Sequence, residues 1–458
     1  MDIANKEKGI AHANNPPSDN KFSFRGGFPI CTWSIAAQNK YLDPKSLRVN
    51  GQFRLVAPTG GKPTNIGIVP NPTTGMALNS RIGVASCINQ VTIANNQNQT
   101  LEVIRNYNRM LASLIPVTHS QSDLDTCNQV GDPASASRSF NSARAINETV
   151  DFSIPLRTGL FSGAELISLG SSNGVSGLNI SIELAPDSQV VSGYRQYDDE
   201  NVETEVLFTP IGEGAHYELM NMTLTYDLLV PSEDGQAIMS APSTGSMTYN
   251  SFSQLYSVLN ASEQTQNFNL GVSNALSVTH NFIETANINN YRTDGFSTGR
   301  LQNSGGPANI NRLTYLRGST RFPLDYELEV GGRTDLPGNQ TRPQTELLLP
   351  FIDSIKPYMS LDHSLMSVQT QNGVNDNITF NTTKTPRYYN TLAEPNQEVF
   401  GAGVNFDPLS KVGVSFKNTN YGVRIVSDLQ GTNPNSIYTF VRSRNTLRYS
   451  PMGITITS

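Results

Sequence analysis

The chain is short of charge, of cysteine and of tryptophan. Only 15 % of its 458 residues are Asp, Glu, Lys or Arg, well below the roughly 25 % usual in globular proteins. The net charge is −6, which argues against a body that holds nucleic acid by neutralising phosphates. Three cysteines, Cys31, Cys87 and Cys127, are an odd number without metal-ligand spacing. They suit small apolar roles in a core better than a disulfide framework. No apolar run is long enough to cross a bilayer as a helix. Met1 to Asn20 has no apolar centre, so no secretory signal is expected there. Asn-x-Ser/Thr triplets at Asn98, Asn147 and Asn221 then carry no expectation of glycosylation.

Histidine is scarce as well. His12, His119, His216, His280 and His363 stand far apart, never at the spacing of a zinc or cupin site. His216 beside Glu218 is the nearest approach to a ligand pair and reads as a strand-end histidine. No Gly-x-Ser-x-Gly elbow or phosphate-binding loop occurs, and GAGVNF at 401–406 lacks the third glycine of a dinucleotide fingerprint. An enzyme is therefore not expected, and no catalytic, cofactor or metal residue is assigned. Two acidic groups, Asp198, Asp199, Glu200, Glu203 and Glu205, and Asp123 with Asp125, lack calcium-loop grammar and read as solvated loops.

Ser, Thr, Asn and Gln are abundant instead, with 36 Gly and 26 Pro, the composition of strands joined by long turns. The dominant pattern has period two. Leu178, Ile180, Ile182 and Leu184 alternate with Asn179, Ser181 and Glu183. Phe322, Leu324, Tyr326, Leu328 and Val330 alternate with Asp325, Glu327 and Glu329. Between 217 and 230, Met220, Met222, Leu224, Tyr226 and Leu228 share a phase that Tyr217 and Leu219 break, which predicts a bulge near residue 219. Further strands are expected at 47–57, 82–93, 150–156, 267–278, 398–406, 412–417, 421–427, 436–442 and 452–457.

Helical spacing occurs over 101–115, through Leu101, Ile104, Tyr107, Leu111 and Leu114, with Thr100 as N-cap and Pro116 as stop. A weaker copy follows about 245 residues later, near 346–359, through Leu348, Ile352, Ile355 and Met359. Pro350 and Pro357 should split it. Each half therefore reads as strands, one helix, a long loop and more strands. The expected fold is all-β: two tandem eight-stranded antiparallel jelly rolls, with one short helix in each half and long loops at 117–149 and 291–311. Residues 1–21 are expected as a flexible N-terminal arm, 22–230 as the first jelly roll, 231–246 as a linker and 247–458 as the second.

Arg442, Arg444 and Arg448 form a local basic stretch. On a strand, Tyr438, Phe440, Arg442 and Arg444 would share a face able to stack single-stranded nucleic acid. Arginine at a subunit interface is the plainer reading. In the arm, Lys6, Lys8 and Lys21 are offset by Asp2, Glu7 and Asp19, unlike arms that neutralise a packaged genome.

Several segments carry a family resemblance: Tyr41-Leu42-Asp43-Pro44 through Phe53, TLEVIRNYNRML at 100–111, PLRTGLFSG at 155–163 and RFPLDYELEV at 321–330. GAGVNFDPLSKVGVSF at 401–416 and NTLRYSPMGITITS at 445–458 complete the set. From about residue 22 onward the chain resembles the double jelly-roll major capsid proteins of polinton-like viruses and virophages. The resemblance implies a homotrimer of pseudo-hexagonal outline in the icosahedral shell, or virion, of a double-stranded DNA virus. It also implies penton and minor or cement proteins as partners, and it brings no active site. The arm would then face inward, against a neighbour, another internal layer or an internal membrane. A surface adhesin or a penton protein is the alternative; the first would need an anchor and the second one jelly roll.

Overall fold

The computed structural model describes residues 3–56, 76–77, 82–118, 149–163, 165–193, 195–197, 203–206, 216–289, 310–329, 350–351, 353–355, 387–389, 402–406, 413–427 and 434–457. The first half contributes β1 (Ile3–His12), β2 (Ile30–Ile35), β3 (Tyr41–Val56), β4 (Ile88–Ala94), β5 (Thr100–Arg105), β6 (Thr149–Pro155), β7 (Leu178–Leu184) and β8 (His216–Pro231). The second contributes β9 (Gly245–Leu259), β10 (Glu263–Phe268), β11 (Ala275–Glu284), β12 (Ile310–Arg317), β13 (Leu328–Glu329), β14 (Ala402–Asn405), β15 (Tyr421–Ser427) and β16 (Asn435–Ser450).

The pairing order is the same in both halves. In the first, one antiparallel sheet runs β1-β8-β3-β6 and the other β2-β7-β4-β5. In the second the orders are β9-β16-β11-β14 and β10-β15-β12-β13. Each half thus joins its first strand to its eighth, third and sixth, and its second to its seventh, fourth and fifth. Helix α1 (Tyr107–Thr118) lies between the fifth and sixth strands of the first half. Helical residues at 350–351 and 353–355 occupy the same interval of the second.

Period-two burial explains the strands. β7 alternates without a break, with Leu178, Ile180, Ile182 and Leu184 fully buried. On β8 the phase passes from Tyr217 and Leu219 to Met222, Leu224, Tyr226 and Leu228. The slip falls between Met220 and Thr223, where Asn221 takes a positive φ of 52°. The bulge is real but sits two residues beyond the position expected from the sequence, because asparagine tolerates the left-handed region. Tyr217 then bridges the sheets. Its hydroxyl donates to the Ala185 carbonyl at 2.6 Å, beside the Cys87 carbonyl at 3.3 Å.

Several expectations need correction. The arm at 1–21 is not free: β1 pairs with β8 from Ile3 to His12, and Lys21–Phe22 continues along the same strand. Its alternation is invisible because Ala11 alone of β1 is buried; backbone pairing at a sheet edge, not core burial, orders it. The helix expected over 101–115 is a strand followed by a helix. Leu101, Glu102 and Ile104 are all buried on β5, so spacing there imitated a helical stripe. Asn106, at φ 49°, turns the chain into α1, which continues past Pro116. One lost backbone bond in a last turn is a cost and not a bar.

Of residues 322–329, only β13 is strand, and Pro323 has no N–H to offer a ladder at the start; Val330 lies outside the described residues. The strand expected at 267–278 is two, β10 and β11, parted at Gly271 with φ 62°. Of the strand expected at 412–417, the described residues 413–417 hold only a bridge at Val414. The expected linker holds a two-turn helix, α2 (Glu233–Ser240), capped by the Ser232 hydroxyl on the Gly235 N–H. Of the weak helical stripe at 346–359, Ile355 is buried, as is Phe351, while Leu348, Ile352 and Met359 lie outside the described residues. Most of the loops at 117–149 and 291–311 lie outside them too.

Tyr217→Phe should lower the unfolding free energy by about 1 kcal/mol, the net worth of a buried hydrogen bond. Urea denaturation followed by the fluorescence of Trp33, buried in the same sandwich, would measure it; no change would remove the tyrosine bridge from the account.

Candidate assembly surfaces

The two halves share a core. Tyr438 and Phe440 on β16, Met247, Tyr249 and Phe252 on β9, and Ile283 on β11 belong to the cluster that fills the first sandwich. Ile437 and Val441 of β16, with Val278 and Phe282 of β11, fill the second. The central strands β16 and β11 are therefore buried on both faces, one toward their own sandwich and one toward the first half, while the edge strand β9 stays partly exposed, Tyr256 at 51 %.

A buried carboxylate organises this seam. Glu102 on β5 is 4 % exposed. Its Oε1 accepts from the Gly159 N–H at 3.0 Å and from the Ser251 hydroxyl of β9 at 2.6 Å. Its Oε2 accepts from the Leu160 N–H at 2.9 Å. Burial pushes the carboxyl above its ordinary range, and these donors, with the Thr158 hydroxyl, oppose the shift. Residues Gly159–Ser162 form one helical turn that ends on this oxygen pair. Gly159 is required for packing: a Cβ would stand 1.8 Å from the Asn250 carbonyl oxygen of β9. Nearby the Tyr249 hydroxyl donates to the Leu101 carbonyl at 2.5 Å.

Helix α1 adds further contacts. The Arg109 guanidinium lies 4.5 Å from the centre of the Tyr438 ring, a cation–π contact with both partners buried. Asn281 of β11 donates to the Ser113 hydroxyl at 3.0 Å. This changes the reading of the basic stretch. Tyr438, Phe440 and Arg442 share a face as expected, but they are buried in the seam, with Arg442 1 % exposed. They offer no platform for stacking bases; Arg444 is partly buried and Arg448 exposed.

The equivalent sheet of the first half, β1-β8-β3-β6, has an outer face paired within itself. Arg54 Nε donates to Glu218 at 2.9 Å, Gln52 to Asp151 at 2.9 Å, and Asn50 to the Thr225 hydroxyl at 3.0 Å. Arg48 reaches the Ser153 hydroxyl at 2.8 Å and Lys6 meets Asp227 at 2.8 Å. His216 stands 3.6 Å from Glu218 as part of this array. Among the described residues no group of three His, Cys, Asp or Glu side chains could hold a metal. Asp123, Asp125, Asp198, Asp199, Glu200, His119, His363 and Cys127 lie outside the described residues, and of Glu203 and Glu205 only the backbone strand is described.

His280 was unremarkable in the sequence, where nothing marks a core histidine on a polar-looking strand. It lies inside the second sandwich, Nδ1 2.8 Å from the Thr439 hydroxyl and Nε2 3.1 Å from the Tyr421 hydroxyl. Its ring stacks on Tyr315 and Tyr421 at 5.8 and 6.2 Å. Burial lowers its pKa to about 3, so it is neutral.

The fold as a whole finds matches among solved structures. The PBCV-1 capsid protein fitted into a reconstruction of the virophage Sputnik superposes with a TM-score of 0.56 at 11 % identity, covering 99 % of this chain and 97 % of that one. A quasi-atomic model of the PBCV-1 virus capsid gives a TM-score of 0.56, 11 % identity and coverage of 99 % and 97 %. The Sputnik virophage structure gives a TM-score of 0.50 at 12 % identity, covering 100 % of this chain and 89 % of that chain. The fold is a double jelly roll. No family model matches the chain, and no curated protein does.

Two predictions follow from the double jelly roll's interior. Glu102→Ala strands three donors and should cost about 3 kcal/mol of stability, read by chemical denaturation; a loss below about 0.5 kcal/mol would show that the seam does not depend on the carboxylate. His280 titrates near 6.5 when exposed and near 3 when folded, so the unfolded chain binds its proton first as pH falls. Stability should therefore decline from about pH 6.5 downward. His280→Gln should flatten that part of the pH profile, whatever its effect on absolute stability.

Proposed function

We propose that the chain is a structural shell subunit, a major capsid protein of the polinton-like or virophage type, and not an enzyme. Its work is geometric. Residues 3–231, with β1 included, and 245–457 act as two upright barrels joined through the segment that holds α2, and three chains make a near-hexagonal tile of six barrels. Such tiles close an icosahedral shell around double-stranded DNA, with penton and minor proteins completing it. The double jelly-roll fold supports this reading, as does its likeness to the PBCV-1 capsid structures.

The observation that carries the trimer is the unequal fate of two equivalent faces. The outer face of β9-β16-β11-β14 is covered by the first half of the same chain. The corresponding face of β1-β8-β3-β6 carries a polar array with its donors and acceptors already matched. In a closed ring, the second half of the next copy covers that face. A polar, wet contact suits it, because groups paired among themselves lose little when water leaves.

The purified protein should have a native mass three times the 49.9 kDa of the chain and appear as hexagonal particles by negative stain. Thr225→Arg, at the middle of the polar face, should give folded monomers by analytical ultracentrifugation and circular dichroism. A monomeric wild type would sink the tile; a trimeric Thr225→Arg variant would move the interface elsewhere.

A further inference from the structure

The contacts of β1 are those of a strand that is attached but not embedded. Of its ten residues, Ala11 alone is buried, while Ile3 and Ile10 are 47 % and 58 % exposed. It is held by a ladder to β8 from Ile3 to His12 and by charge. Lys6 faces Asp227 at 2.8 Å and Asp43 at 3.9 Å, and Glu7 faces Lys40 at 2.6 Å. These pairs are half-exposed, so salt weakens them.

One position sets which strand fits. Gly9 lies opposite Tyr226 in the register, and the tyrosine ring covers it so closely that a Cβ would stand 2.2 Å from the ring. The edge of β8 therefore accepts an extended segment with a basic residue, an acidic residue and, two places further on, a glycine. Residues 3–12 of this chain have that pattern.

The connection from β1 to Lys21–Phe22 includes Pro16 and Pro17, which donate no backbone hydrogen bond. It is fixed at Asn14 and Asn15, which bond to Thr32, Ser34 and Ile30 of the neighbouring strand. Once the Asn14 and Asn15 bonds release, the eight residues 13–20 can extend over roughly 27 Å.

We propose that β1 is an exchangeable strand, and that the β8 edge beneath it is a docking site for residues 3–12 of a second copy of this chain. The ladder, the ion pairs and the Gly9–Tyr226 contact are the same whether the strand comes from its own chain or another's, which is the condition for strand exchange. Exchange would tie neighbouring copies together without any new interface. It does not rest on the trimeric shell, because any two copies in contact could perform it.

The test uses the full-length protein and a fluorescent peptide of residues 3–12, with binding read by anisotropy. A peptide carrying Gly9→Val is the control. Wild-type protein should take up the wild-type peptide slowly and faster as salt is raised, since its own β1 must leave first. Full-length Gly9→Val protein, whose own strand no longer fits beneath Tyr226, should bind the wild-type peptide on the order of tenfold more tightly than wild-type protein does. The Gly9→Val peptide should bind neither. No uptake by either protein, or equal uptake of both peptides, overturns the proposal. Failure here beside an intact trimer by native mass would leave the shell reading standing; uptake by a monomeric protein would separate the two the other way.

Discussion

A carboxylate kept out of water must find donors for both its oxygens, and in this protein that requirement joins the two halves. Glu102 takes two backbone N–H groups from the turn at Gly159–Ser162 and one hydroxyl from Ser251 across the seam. Removing any of the three leaves a buried carboxyl oxygen short of a partner, which costs more than the loss of one hydrogen bond in water. The turn, β5 and β9 are thus held in mutual register. Apolar contacts through Tyr249, Phe252 and Phe440 then extend the seam, but contacts of that kind are tolerant of sliding. The polar network gives the orientation its specificity.

The arrangement accounts for the odd composition. A chain in which one sheet has its central strands buried on both faces and another carries an internally paired polar array has little use for free surface charge. Serine, threonine, asparagine and glutamine supply matched donors and acceptors with less desolvation than ions demand. Asn50 with Thr225, Gln52 with Asp151 and Asn281 with Ser113 are examples, the first two on β3 and the third between β11 and α1.

Much of the architecture was legible in the sequence, because half-buried strands write their burial at every second residue. β7 and β15 could be read directly, as could the strand–helix–strand rhythm of each half. What escaped had physical reasons. β5 is covered on more than one side, so its apolar spacing imitated a helix. β1 buries one side chain and left no pattern at all. The aromatic and basic face of β16 was grouped correctly at Tyr438, Phe440 and Arg442, yet its environment could not be read, since a strand facing a second domain looks the same as one facing solvent. Glu102 was the hardest to see. A lone glutamate in TLEVIR signals nothing until the chain brings Gly159 and Ser251 to it from distant positions.

β16 carries a further consequence. From Asn435 through Ser443 every residue is buried, alternately against one barrel and against the other half. Such a strand has no side on which mutations drift freely: each replacement must satisfy one of two unrelated environments. Lineages descended from this chain should therefore diversify in the loops and along the open sheet edges while this stretch stays nearly fixed in size and polarity.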